Sequence, residues 1–165
     1  MKLLKEKYKN LILHLSQHCA DKDNFGLTVL NKLLYFCDFN HYELYEKSIT
    51  NESYKKLKYG PFPAHIENVI DELKKEGKLI TIKTHFHAYE QIKPIPKEEA
   101  SLGAFNGQEM EVIHNVLEKC SDLTAVKVSH LSHEDIPWRA TKDGETINYE
   151  LVFYRTPLTS ASIDE

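Results

Sequence analysis

Histidine is the residue type whose number and spacing in this sequence most suggest chemistry. The chain contains nine histidines, and several of them form pairs that one turn of a helix, or alternate positions of a strand, would place on the same face. These pairs are His14 with His18, His85 with His87, and His130 with His133. A zinc site needs three or four ligands, and no pair has a third ligand at a recognised spacing. The sequence therefore predicts no metal site.

A nucleophilic site is harder still to build from these residues. Ser129, Ser132, His133, Glu134 and Asp135 crowd into one predicted helix end, but groups that act on one substrate atom normally come from separate elements. The chain has no G-x-S-x-G, no H-E-x-x-H and no glycine-rich phosphate-binding motif. The SHED stretch is more simply explained as a capping and turn sequence. We therefore predict no catalytic residue, no cofactor and no enzymatic activity.

The charge balance argues against nucleic acid as a partner. The chain carries 21 Lys and Arg against 25 Asp and Glu, which gives a formal net charge of −4 at pH 7. Only Arg139 and Arg155 are arginines, and arginine is the residue best suited to pair with guanine or phosphate. A chain of this composition is not typical of nucleic-acid-binding proteins.

Cysteine use and hydropathy together predict a cytoplasmic protein. Cys19, Cys37 and Cys120 are odd in number and are not in C-x-x-C spacing, so we expect reduced thiols. The first residues, MKLLKEKYKNLILHLSQH, carry charges and histidines where a signal peptide needs an uninterrupted apolar region. No stretch approaches the ~20 apolar residues of a membrane span.

Hydrophobic periodicity predicts a mainly helical α+β fold that positions these residues. Apolar residues at helical spacing predict helices at 2–19, 27–41 and 63–77, with a short helix at 51–57 between the last two. LITIKT and YEQIK alternate apolar and polar residues, which predicts a β-hairpin after the third long helix. This is the element order of a winged helix, so residues 1–94 are predicted to form a winged-helix-like half.

The second half is predicted to contain further helices. Residues 94–107 lack a period and contain prolines and glycines, which is typical of a surface loop. Asn106 is expected to cap a helix that reaches Cys120, LTAVKVSHLSH predicts another helix, and a short alternating segment near the end predicts a strand. We predict one domain, residues 1–157, with a C-terminal half at 107–157 and a flexible tail at 158–165.

The stretch KYGPFP, residues 58–63, is the most unusual local sequence. Proline fixes φ and holds the preceding residue extended, so Gly60 and Phe62 cannot join a helix. A stiff corner loses little conformational entropy on docking, and tyrosine is enriched at binding hot spots. We therefore expect part of a partner-binding surface here, formed by Tyr59, Gly60, Pro61, Phe62 and Pro63.

The order of the motifs resembles a known family. KLLYFCDFNHYELYEKSITNESYKKLKYGPFP and SDLTAVKVSHLSHEDIPWRATKDGETINYE are together similar to the Panacea domain of SocA-like, phage-associated GepA-type antitoxins. The resemblance spans about Leu27 to Tyr149 and includes the YGPFP corner and the LSHEDIPW segment. Cys37 stands where the family usually has alanine, and INY at 147–149 replaces the usual IPY.

This resemblance implies a partner-binding domain without catalytic activity. Members of the family neutralise protein toxins, usually encoded next to them, by direct contact, and one member is considered an adaptor that delivers its toxin to a ClpXP-type protease. The partners implied for this chain are therefore a toxin and such a protease. The motif residues Asp38, His133 and Trp138 join the corner as candidate contacts, while burial against each other or against backbone groups is the alternative.

The predicted element order supports a second hypothesis, a winged-helix DNA-binding transcriptional regulator. The third helix of such a protein lies in the major groove. In this chain, residues 61–78 carry three lysines against four acidic residues, a net charge of −1. Because a DNA-contacting helix has to approach phosphates, the antitoxin remains the first prediction.

Overall fold

The computed structural model describes residues 2–162 and shows a mainly helical α+β fold, as predicted. Its α-helices are joined by two separate two-stranded antiparallel sheets. The elements in chain order are α1 (Lys5–Cys19), α2 (Leu27–Tyr45), β1 (Tyr54–Leu57), β2 (Gly60–Pro63), α3 (Ile66–Lys75), β3 (Leu79–Phe86), β4 (Tyr89–Pro96), α4 (Gly107–Cys120), α5 (Ala125–His133) and α6 (Ile136–Arg139). Within residues 2–162, no helix is both long enough and apolar enough to cross a membrane.

Helix α2 is the centre of the molecule. Every residue from 29 to 39 is buried, because helices α1, α4 and α5 and strands β2 and β4 all pack around it. A helix that is apolar on nearly all sides is expected to lie inside a globular protein. The prediction of a central buried helix is confirmed.

Helix α3 is amphipathic and packs against α1 through one apolar stripe. Ile66, Val69, Ile70 and Leu73 are its buried residues, at the i, i+3, i+4, i+7 spacing of one helix face. The helix begins at Ile66 rather than at Pro63, because Pro63 pairs with Tyr54 as the last residue of β2. The predicted start of this helix was therefore wrong by three residues, while its body is confirmed.

The short helix predicted at 51–57 is wrong, since this segment leads into strand β1. The Asp38 carboxylate accepts hydrogen bonds from the backbone N–H groups of Ile49 and Thr50, at 2.9 Å each, and from the Tyr54 hydroxyl at 2.6 Å. These contacts fix the chain just before β1, and a β-bridge joins Lys55 to Thr146. Such partners lie far away in sequence and outweigh a weak local helix propensity.

The hairpin predicted after α3 is confirmed as β3 and β4. Its strands pair antiparallel from Leu79 with Pro96 to Phe86 with Tyr89, so the connection is a two-residue turn. His87, the first residue of that turn, has a positive φ of 56°, which the first central position of both type I′ and type II′ hairpin turns requires.

The C-terminal half contains the predicted helices but not the predicted strand. Asn106 caps α4 in a capping box, accepting from the Glu109 N–H at 2.8 Å while its own N–H donates to the Glu109 carboxylate at 2.9 Å. The final alternating segment forms a 3-10 helix, Tyr149–Tyr154, instead of a strand. Its apolar residues pack on α2. The alternating pattern alone did not reveal this packing partner.

The residues after this 3-10 helix pack against the C-terminal end of α2. Thr159 and Ser160 are buried, and the Glu43 carboxylate accepts hydrogen bonds from the Ser160 hydroxyl and the Ala161 N–H. These residues belong to the segment 158–165, which the sequence predicted to be a flexible tail. Residues 163–165 lie outside the described residues.

Candidate partner-binding surface

The KYGPFP corner is the tight turn of the β1–β2 hairpin. Lys58 and Tyr59 form the turn between the paired residues Leu57 and Gly60. Tyr59 stands at the tip and is 69% exposed, whereas Pro61 and Pro63 are buried beneath it and Phe62 is half-buried. The two prolines therefore anchor the corner, and the tyrosine is the part that a partner can reach.

Gly60 allows the corner to press against α2 and α5. Its φ of +121° is unfavourable for any residue with a Cβ. A Cβ at this position would lie 2.5 Å from Lys32 Cε and 2.8 Å from Ser132 Oγ. Both the backbone angle and the close approach thus require glycine here.

Lys32 is an unusual neighbour for this corner because it is a buried cation. The residue is only 4% exposed, and no ion pair or hydrogen bond of its ammonium was found among the described residues. Burial lowers the pKa of Lys32 from 10.5 to about 8, since a charged group is disfavoured away from water. The charge of Lys32 also helps to lower the pKa of His133, for which burial is the larger cause.

His133 and Trp138 lie beside the corner, and both side chains are half-buried. Their rings stack with centroids 4.3 Å apart, and the Lys56 ammonium of β1 sits 4.1 Å from the centre of the Trp138 ring. A cation over an indole face is attracted by the negative charge of the ring face. The structure therefore brings the LSHEDIPW segment and the YGPFP corner together, as neighbours on one surface.

Asp38 does not belong to this surface. Its side chain is fully buried in α2, where it also accepts a hydrogen bond from the Thr50 hydroxyl at 2.7 Å in addition to those described above. Burial raises the pKa of this carboxyl to about 6, against the opposing effect of its hydrogen bonds. Asp38 pairs with the 49–54 segment rather than with His133, so in this structure it supports the hairpin from behind instead of facing a partner.

Glu52 is a second buried carboxylate that sequence reasoning missed. It accepts hydrogen bonds from the Tyr8 hydroxyl at 2.7 Å and from the His65 N–H at 2.8 Å, and its other oxygen lies 2.6 Å from His65 Nδ1. The Tyr149 hydroxyl donates to the Glu52 carbonyl at 2.6 Å. These bonds tie α1, the start of α3 and the C-terminal segment to Glu52, just before the hairpin. Glu52 shows no sequence signal beyond its place between Thr50 and Tyr54.

The SHED segment is joined to α2 through Arg155 and Tyr35, contacts that sequence reasoning also missed. Arg155 donates to both oxygens of Asp135, at 2.9 and 2.8 Å, and the Tyr35 hydroxyl donates to the same carboxylate at 2.6 Å. The Arg155 guanidinium also reaches Glu43 at 2.9 Å and Asn40 at 2.8 Å. The scarcity of arginine in the chain was the one signal that could have singled out Arg155.

The histidine pairs are not joined by further ligands. Across residues 2–162, no group of three or more His, Cys, Asp or Glu side chains is placed to hold a metal ion. Cys19, Cys37 and Cys120 are all buried free thiols, and burial raises the pKa of each. A thiol with a raised pKa is a poor nucleophile at neutral pH.

Comparison with known protein families gives a match that covers the central part of the chain. The family model of the antitoxin SocA-like, Panacea domain matches residues 30–139, well over half of the chain. The matched region runs from the start of α2 to the end of α6 and contains both the corner and the His133–Trp138 stack. No curated protein and no solved structure gave a significant match. The chain belongs to the SocA-like antitoxin family, the proteins built on the Panacea domain.

Proposed function

We propose that this protein is the antitoxin of a toxin–antitoxin pair, which binds a protein toxin encoded by a neighbouring gene and neutralises it by direct contact in the cytoplasm. The observation that carries the proposal is the match of the SocA-like antitoxin model across residues 30–139. Neutralisation by contact needs a stable surface and no catalytic group, so we propose that the protein is not an enzyme.

The surface around Tyr59 supports this function. Tyr59, Trp138 and Lys56 combine an exposed aromatic ring with a cation–aromatic pair, and tyrosine and tryptophan are enriched at binding hot spots. The buried hydrogen bonds of Asp38 and the close packing of Gly60 hold this surface in place. A preorganised surface loses less entropy on binding. We propose Tyr59, Phe62, His133 and Trp138 as the contact residues.

Co-expression with the adjacent gene tests the proposal. The neighbouring product alone is expected to stop growth, and expression of this protein beside it is expected to restore growth. A tagged copy is expected to recover that product in about equimolar yield from cells that carry the native operon. If the neighbour is harmless, or if growth stays arrested with both proteins present, the protein is not its antitoxin.

The protein could in addition act as an adaptor that delivers the bound toxin to a ClpXP-type protease. This adaptor role predicts that the purified protease degrades the toxin faster when this protein is added, and that the effect saturates as the complex forms. Equal degradation with and without this protein would leave neutralisation by contact as the mechanism.

A second candidate function is DNA-binding regulation, which the hairpin β3–β4 directly after α3 favours. The charges of α3 oppose it, because its exposed face carries Glu67 and Asp71, and Glu72 and Glu76 pair with lysines of α1. The regulator would shift a fragment of its own promoter in a gel at low salt, with affinity falling steeply as salt rises. No shift at low salt would eliminate it.

A further inference from the structure

A groove runs beside the KYGPFP corner and is lined by residues of α2, α3, the start of α5 and the β3–β4 hairpin as well as by the corner itself. The start of α2 forms its floor with Leu27, Thr28 and Asn31, Phe62 and Tyr59 lie on the side of the corner, and Ile92 of β4 lies on the other side. It consists of two adjoining depressions of about 430 and 670 Å³ that share Leu27, Thr28 and Ile92. Its size is that of a ligand or peptide site.

Large apolar side chains on the rim of this groove are open to solvent. Tyr59 and Tyr89 are 69% and 68% exposed, and Val126 at the start of α5 is 55% exposed. Single exposed apolar residues are ordinary, but a contiguous group around a depression is typical of an interaction site. Hydrophobic contact is therefore available to any chain that enters the groove.

Asn31 in the floor indicates what kind of chain enters. Its side chain is 8% exposed, and its Oδ1 makes no hydrogen bond within the described residues. A buried acceptor without a donor costs about 1–3 kcal/mol. Asn31 lines the groove, so an occupant can supply the donor that its Oδ1 lacks. Because an amide both donates and accepts, it matches the N–H and C=O of one extended peptide unit.

The charges on the rim indicate the side chains of the occupant. The residues that line the groove include the carboxylates of Glu67, Asp71 and Glu90 against the single ammonium of Lys74. None of these carboxylates takes part in an ion pair among the described residues. This excess of negative charge favours lysine or arginine in the partner and disfavours a nucleic-acid strand.

The last described residues lie away from this groove. The Glu43 carboxylate holds Ser160 and Ala161 at the opposite end of α2. The described C-terminal residues therefore leave the groove open.

We propose that this groove binds an extended polypeptide segment of the partner protein, with apolar side chains against Tyr59, Phe62 and Ile92, a lysine or arginine near Glu67 and Asp71, and its backbone paired with Asn31. The identity of that partner as a toxin rests on the proposed function. The binding of an apolar and basic extended segment in this groove does not depend on that identity.

A library of random linear peptides displayed on phage is the first probe. The wild-type protein is the target, and Thr28→Arg is the variant used for negative selection. Thr28 is exposed in the floor of the groove, so the arginine fills the groove and repels a basic segment without disturbing the core. Thr156→Arg adds the same side chain at an exposed position away from the groove and is the matched control.

The expected peptides combine apolar residues with lysine or arginine. Their synthetic forms, measured by calorimetry, are expected to bind Thr28→Arg at least about tenfold more weakly than wild type and to bind Thr156→Arg unchanged. Asn31→Leu, if folded, is expected to weaken them as well. The proposal is overturned if the selection enriches no peptide specific for the wild-type protein, or if the enriched peptides bind Thr28→Arg as tightly as wild type.

The same variants separate this proposal from the proposed function. If the neighbouring product is toxic and Thr28→Arg neutralises it as well as wild type does, the antitoxin function stands and the groove is not the toxin's binding site. If no neighbouring product is toxic but the selected peptides still require the groove, the antitoxin function fails and the peptide site stands.

Discussion

Among single residues, Gly60 is the position where the corner is most constrained. Gly60→Ala adds a Cβ at a φ of +121°, 2.5 Å from Lys32 Cε and 2.8 Å from Ser132 Oγ. Backbone strain and overpacking together are expected to lower the free energy of unfolding by about 2–4 kcal/mol. Urea denaturation followed by circular dichroism measures the change.

Gly77→Ala is the matched control for this substitution. Gly77 also has a positive φ, +73°, but a Cβ there has no neighbour within 4 Å, so only the backbone strain of about 1–2 kcal/mol is expected. If Gly60→Ala costs no more than Gly77→Ala, the close packing of the corner on α2 and α5 does not contribute to stability.

Lys32 gives a prediction about pH. Because burial lowers its pKa from 10.5 to about 8, the folded protein loses this proton before the unfolded chain does. Charged Lys32 therefore lowers the free energy of unfolding below about pH 8. This loss of stability shrinks as the pH rises from about 8 to 10.5. Lys32→Met keeps the length without the charge and is expected to raise the free energy of unfolding by about 2–3 kcal/mol at pH 7.

The difference in the free energy of unfolding between Lys32→Met and wild type is expected to shrink at alkaline pH. Urea unfolding of both proteins at about pH 7 and about pH 9.5 measures it, and comparison of the two proteins cancels the titration of the tyrosines. Lys75→Met, at an exposed position of α3, should leave the free energy of unfolding unchanged at both pH values. If this difference in unfolding free energy is equal at both pH values, burial does not lower the pKa of Lys32.

At the scale of elements, the ion pair of Arg155 joins α2 to the segment that carries His133 and Trp138. The Arg155 side chain is 1% exposed and that of Asp135 is fully buried, so Arg155→Ala leaves two carboxylates, Asp135 and Glu43, without their cation. Breaking a buried pair in this way is expected to cost about 3–5 kcal/mol of unfolding free energy. Thermal and urea denaturation measure the loss.

Lys22→Ala provides the comparison, because Lys22 pairs with Asp122, whose side chain is 83% exposed. An exposed ion pair contributes at most about 1 kcal/mol. Comparable losses for Arg155→Ala and Lys22→Ala would show that the Asp135 pair does not hold the two elements together.

The elements also show what the sequence could predict. Helices α2, α3 and α4 and the hairpin β3–β4 were predictable because their hydrophobic patterns are local, as is the cap of α4 by Asn106 and Glu109. Strand β1 was not, because Asp38 and Thr146, which hold it extended, lie far away in sequence. The corner was found for the same reason as the helices, since proline acts on its nearest neighbours.

The contacts of the candidate site were less predictable than its position. Nothing local in the sequence shows that Gly60 packs on Lys32 and Ser132, or that Lys56 covers Trp138. The burial of Asp38 was weighed as an alternative and is confirmed. Of the two kinds of partner weighed with it, backbone groups and His133, the structure shows the backbone N–H groups of Ile49 and Thr50. The groove was missed because β4 and the corner meet only in the folded chain.

On the scale of the whole molecule, the two ends of α2 differ in their surroundings. At the N-terminal end lie the corner, the groove and the exposed Tyr59, and at the C-terminal end Glu43 and Arg155 hold the last described residues. The N-terminal end, called the open end below, presents the corner and the groove to a partner. The C-terminal end, called the closed end below, is covered in part by the last described residues and keeps a smaller depression of about 340 Å³. If the protein is an antitoxin, the toxin is expected at the open end.

Exchanging one exposed tyrosine at each end tests this polarity. Tyr59→Ala removes the 69% exposed ring at the corner, and Tyr154→Ala removes a 73% exposed ring near the closed end. Because a central aromatic contact is typically worth about 2 kcal/mol or more, Tyr59→Ala is expected to weaken the complex with the neighbouring toxin by about thirtyfold and Tyr154→Ala to leave it unchanged. Both variants should melt within about 2 °C of wild type, since neither ring is packed in the core. Calorimetric titration of the toxin measures the affinities. The reverse order of effects would place the toxin at the closed end, where binding would have to displace the segment held by Glu43.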